Sequence, residues 1–124
     1  MGKRALIVDD SFGDRLLMRD ALASFGWHVV GEAKNFQESL EKYRVLKPDL
    51  VLMDAAIPDV DGVSAVLRLL REDGEANILM CVTRGQRVLA MEAIQAGAKD
   101  FITKPINPRQ LRRVIQSLLR RAPV

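Results

Sequence analysis

Three short stretches of unbroken apolar sequence stand out along the chain: "ALIV" at 5–8, "DLVLM" at 49–53 and "NILMCV" at 77–82. Each is too short for a buried helix and none alternates with polar residues, so each reads as a strand covered on both faces. "HVVGEA" at 28–33 and "DFIT" at 100–103 are weaker candidates, expected nearer the sheet edges. The segments between them carry helical spacing. Leu16, Leu17, Ala21, Leu22 and Phe25 recur three and four apart with charged residues in the gaps, and similar patterns run over 35–46, 62–73, 86–96 and 107–121. Asn35 and Asn107 are placed to cap helices, Pro108 suits a first helical turn, and Gly26, Gly74 and Gly97 fit helix exits.

Strand and helix therefore alternate five times. Parallel neighbours need a crossover, right-handed crossovers carry helices, and the alternation predicts an α/β fold: a doubly wound, five-stranded parallel sheet with helices on both faces. Ligands of such sheets sit beyond the carboxyl ends of the strands, where strand order reverses. The residues falling there are Asp9 and Asp10, Asp54, Thr83 and Lys104. Clustered carboxylates repel one another and lose hydration, so three of them on one rim call for a cation. Oxygen-only ligands select a hard ion over zinc. Magnesium fits, since it keeps several waters and bridges one or two carboxylates to a phosphate. Phosphoryl transfer needs positioning and charge neutralisation more than covalent help. Lys104 and Thr83 are then candidates to hold phosphoryl oxygens, and Asp54 is the candidate nucleophile, giving an acyl phosphate.

Composition narrows the class further. A chain of 124 residues, 48% hydrophobic and 28% charged, suits one globular domain spanning 1–124. No apolar run approaches the ~18 residues of a membrane span, and "MGKRALIVDDS" meets charge too early for a signal peptide, so the cytoplasm is the expected compartment. Cys81, the single cysteine, reads as an inert buried thiol. The net charge is +3, and Arg109, Arg112, Arg113, Arg120 and Arg121 gather in the last helix. With no recognition motif or interleaved aromatics, this run reads as a solvated face rather than a nucleic-acid interface.

Four motifs in order, "LIVDDS" at 6–11, "PDLVLMDAAIPDVDG" at 48–62, Thr83 and "DFITKP" at 100–105, resemble the signature set of bacterial two-component response-regulator receiver domains, of the stand-alone chemotaxis type. The resemblance spans essentially the whole chain. It implies a flavodoxin-like sheet of order 2-1-3-4-5 and a phosphoacceptor, Asp54, loaded from a phosphohistidine on a sensor histidine kinase. It also implies magnesium held by Asp10, Asp54 and the Ala56 backbone carbonyl, with Asp9 acting largely through water. Thr83 and Phe101 correspond to the family's switch pair. They would reshape the face made by the fourth helix, fifth strand and fifth helix for a downstream protein, such as a flagellar switch or a phosphorelay component. The resemblance further implies a cis bond between Lys104 and Pro105, and no catalysis beyond the domain's own phosphotransfer and autodephosphorylation. A monomer or weak dimer is expected, without contact to membrane or nucleic acid.

Some positions depart from that pattern. Arg84 stands where relatives carry a small residue, and would either clamp the phosphoryl group or narrow its entrance; Ala56 and Gly85, two beyond Asp54 and Thr83, are small. Phe101 lacks the hydroxyl of the commoner tyrosine. Asp59 and Asp61 read as turn and capping residues, His28 as a surface or half-buried residue and Trp27 as packing. A phosphohydrolase of the haloacid-dehalogenase kind would need an aspartate at position 56, and a flavin or nucleotide binder would need a glycine- or hydroxyl-rich loop where "DDSFGD" stands. A degenerate receiver that binds proteins without phosphorylation is the remaining alternative.

Overall fold

The computed structural model describes residues 2–120. Strands and helices alternate as β1 (Arg4–Val8), α1 (Phe12–Ala23), β2 (His28–Ala33), α2 (Phe36–Leu46), β3 (Leu50–Asp54), α3 (Gly62–Glu72), β4 (Ile78–Val82), α4 (Arg87–Ala96), β5 (Asp100–Thr103) and α5 (Pro108–Arg120), with a 3-10 turn, Arg84–Gln86, ahead of α4. All pairings are parallel, in the order β2-β1-β3-β4-β5. The chain runs outward from β1 to β2 and then crosses back to β3. That reversal opens a crevice at the carboxyl ends of β1 and β3.

The apolar strand runs divide by parity between two cores. Leu6, Val8, Val51, Met53, Ile78, Met80 and Val82 face α2, α3 and α4, where Phe36, Leu40, Val66, Leu69 and Ala90 are buried. Ala5, Ile7, Leu50, Leu52, Leu79 and Cys81 face α1 and α5 and pack with Met18, Leu22, Trp27, Leu111, Ile115 and Leu118. Successive strand side chains point to opposite faces, so a strand with helices on both sides has no polar position. β2 and β5 lie at the edges, as their mixed patterns predict.

The first helix buries Ala21 and Leu22 as its spacing suggests, but not Leu16 and Leu17. Leu16 and Leu17 are 45% and 52% exposed, and the buried positions are Arg15, Met18, Ala21 and Leu22. Both sets satisfy helical spacing, and the fit against the sheet chooses between them. Phe25 lies beyond the helix end, half-buried in the turn. Gly26 and Gly97 do take positive φ at helix exits, at 89° and 125°. Gly74 does not close α3: Asp73 does, in extended conformation, its Oδ1 accepting from the Glu75 amide at 2.9 Å. The exit of α2 is Lys47, a non-glycine at φ 45°. Asn35 and Asn107 act as caps as expected. The last expected helical residue, Arg121, lies outside the described residues.

Candidate functional site

Each functional side chain is carried by a strand end and tied down by backbone pairing. Beyond Val8 the Asp9 amide donates to the Ala33 carbonyl at 3.0 Å, which prolongs the β1–β2 pairing and leaves the Asp9 side chain 1% exposed. Asp10 follows and is exposed. Ser11 caps α1, and its own amide donates to Asp9 Oδ1 at 2.9 Å. Asp54 is the last residue of β3 rather than the first beyond it, in register with Cys81 and 5% exposed. The Ala56 amide donates to Asp54 Oδ2 at 3.3 Å. Just beyond β5, the Lys104 amide donates to the Val82 carbonyl at 2.7 Å, and the Lys104–Pro105 bond is cis.

These anchors bring carboxylate oxygens of Asp9, Asp10 and Asp54 within 4.8 Å of one another. The donors are all hard anionic oxygens, which fit a divalent cation that prefers oxygen ligands. Lys104 reaches into the same cluster, its Nζ 2.8 Å from Asp9 Oδ2, 2.9 Å from Asp54 Oδ1 and 2.8 Å from Asp14 Oδ2. Burial pushes the Asp9 carboxyl above the ordinary aspartate range, against the Lys104 and Ser11 hydrogen bonds that pull it down. Burial alone would lower Lys104, but its hydrogen bonds to Asp14, Asp9 and Asp54 outweigh this and hold the ammonium well above the ordinary lysine range. The lysine is therefore charged, and four carboxylates still outnumber one ammonium.

The other sequence candidates fall around this centre. Thr83 directly follows β4, exposed, with its amide donating to Gln86 Oε1 at 2.9 Å. Phe101 is half-buried against the core on the α2–α4 side. Arg84 is exposed and lines a groove of about 500 Å³ with Arg87, Thr103, Lys104, Pro105, Asn107 and Gln110. Asp61 caps α3 through the Ser64 amide. Asp59 caps across the fold, accepting from the Phe36 and Gln37 amides of α2 at 2.8 and 3.0 Å. His28 is exposed, Trp27 is buried, and burial pushes the Cys81 thiol up, as an inert thiol requires.

Two participants escaped sequence reasoning. Asp14, in the first turn of α1, reads as an ordinary helix-start acid, and nothing in its spacing points to Lys104. Arg15 is 7% exposed; its Nη1 donates to the Asp9 carbonyl at 2.7 Å and its Nε to Glu32 Oε1 at 3.1 Å, and Glu32 also pairs with Arg19. Arg15 did carry a signal, since it lies three and seven residues before Met18 and Leu22 on the buried face.

Residues 5–116 match the family described as the response regulator receiver domain. The chain belongs to that family. The receiver is 45% identical over 118 residues to the chemotaxis protein CheY of Thermotoga maritima, covering 95% of this chain and 96% of that protein. It is 43% identical, also over 118 residues, to CheY of Bacillus subtilis, with the same two coverages. Among solved structures, the CheX-CheY-BeF3-Mg+2 complex from Borrelia burgdorferi superposes with a TM-score of 0.87 at 26% identity, covering 94% of this receiver and 88% of that chain. The receiver domain of NtrX from Brucella abortus gives 0.88 at 28%, covering 95% and 99%. The receiver is thus a CheY-type signalling module, not a classical enzyme, and its aspartate cluster fits a phosphoacceptor site. The degenerate alternative is not favoured, because the acids and the lysine converge. Among the described residues no helix is long and apolar enough to cross a membrane.

Proposed function

We propose that Asp54 accepts a phosphoryl group from a sensor histidine kinase with magnesium bound at Asp9, Asp10, Asp54 and the Ala56 carbonyl. The observation that carries this reading is Asp54 itself, a carboxylate 5% exposed at the end of the central strand, 2.9 Å from a charged lysine and grouped with two further acids. The chemistry that magnesium supplies there is charge neutralisation around the phosphoryl oxygens. An Asp54 carboxylate oxygen attacks phosphorus, the phosphorus–nitrogen bond of the phosphohistidine breaks, and the imidazole leaves with that electron pair. Lys104 then donates to a phosphoryl oxygen and the Thr83 hydroxyl to another. As Thr83 is drawn in, the Phe101 ring turns toward the space it leaves, and the α4–β5–α5 face changes shape for a downstream protein. Water later hydrolyses the acyl phosphate, in autodephosphorylation that Arg84 modulates from the rim of its groove. The receiver works in the cytoplasm as one unit over 1–124.

Acetyl phosphate treatment followed by mass spectrometry tests the reading. The wild type gains one phosphoryl mass only with magnesium present, and Asp54→Asn gains none. Undiminished labelling of Asp54→Asn would refute the assignment.

A further inference from the structure

We infer that Asp14 is a positioning residue that restrains Lys104, so that the first turn of α1 sets how readily this receiver holds a phosphoryl group; the inference rests on the phosphoacceptor reading above. The Lys104 ammonium has three donors; it donates to Asp9 and Asp14 at 2.8 Å each and forms an ion pair with Asp54 at 2.9 Å. Asp9 and Asp54 belong to the group of oxygens that suits a cation, and Asp14 does not. Its side chain is 38% exposed, and it reaches the site through the lysine. Phosphorylation converts one Asp54 oxygen into an ester and moves the charge that attracts Lys104 onto the phosphoryl oxygens. Asp14 keeps its own contact and competes for the same ammonium. Its charge also repels the incoming dianion across the short span of one lysine head group. Both effects have the same sign, so Asp14 weakens the phosphorylated state relative to the free one. Asparagine at this position keeps the shape and removes both.

Titration calorimetry of the full chain with beryllofluoride in saturating magnesium reads this competition without any turnover. Asp14→Asn is expected to bind about tenfold tighter than wild type, the size of one partly screened charge interaction, while Asp14→Glu stays within about twofold. In a Lys104→Met background the gain from Asp14→Asn is expected to shrink below about threefold, because the contact runs through the lysine. Unfolding followed by Trp27 fluorescence establishes that each variant is folded, and Asp14→Ala substitutes if Asp14→Asn is not. Wild-type binding without tightening in the neutral variant would overturn the role of Asp14 alone, as would an undiminished gain in the Lys104→Met background. Absence of beryllofluoride binding to the wild type would overturn the phosphoacceptor reading and this inference together.

Discussion

Replacing Lys104 by methionine tests the electrostatics of the site most directly. The substitution keeps the unbranched apolar stem and removes the ammonium from three carboxylates, two of which, Asp9 and Asp54, have side chains 1% and 8% exposed. Removing one partner of a fully buried ion pair costs roughly 3–5 kcal/mol; the site here opens to solvent at its rim, where Asp14 is 38% exposed, so about 2–3 kcal/mol is the expected loss without metal. Magnesium affinity should move the other way. A positive charge about 4 Å from a divalent cation repels it by about 2 kcal/mol even at the dielectric of bulk water, and by more at a protein surface, so its removal tightens binding by about thirtyfold or more. Urea unfolding followed by the fluorescence of Trp27, buried in the α1–α5 core, measures the first quantity with chelator present. Calorimetric titration with magnesium chloride measures the second. The stability deficit should narrow in excess magnesium, because the cation replaces the lost charge and binds the folded state alone. Magnesium affinity that is unchanged or weaker in Lys104→Met would refute the argument, since the lysine would then be supporting the metal rather than opposing it.

The remaining expectations concern the frame of the site. Tyr43 donates from its hydroxyl to Asp73 Oδ2 at 2.6 Å, and this bond, followed by the Glu75 amide, holds the Asp73 carboxyl below its ordinary value of 3.8. A lowered folded-state value gives stability that is present above 3.8 and lost as the pH falls through the folded-state value. Tyr43→Phe should therefore cost about 1 kcal/mol at neutral pH, and the gap to wild type should close as denaturation is repeated at increasingly acid pH; a gap that persists would place the loss in packing. Gly97→Ala should cost about 1–3 kcal/mol in urea unfolding, because φ is 125° and a Cβ there would come 2.4 Å from Leu70 Cδ1; a variant of wild-type stability would show that this helix exit relaxes freely.

The sequence could declare strand positions because burial on both faces leaves no polar place within 5–8, 50–53 and 78–82, and it could declare the rim because a polar residue interrupts each run where it ends. Asp9, Asp10, Asp54, Thr83 and Lys104 were legible for that reason: parallel strands share one carboxyl end, so residues that end strands become neighbours at any sequence separation. Side-chain direction and partner choice were not legible. Whether α1 buried Leu16 and Leu17 or Arg15 and Met18 depended on its rotation against the sheet, and both rotations satisfy the same period. Asp59 capping α2 and Asp14 gripping Lys104 depend likewise on contacts across 23 and 90 residues respectively. Periodicity along a chain encodes which elements form; the distances between side chains from different elements exist only once those elements have packed.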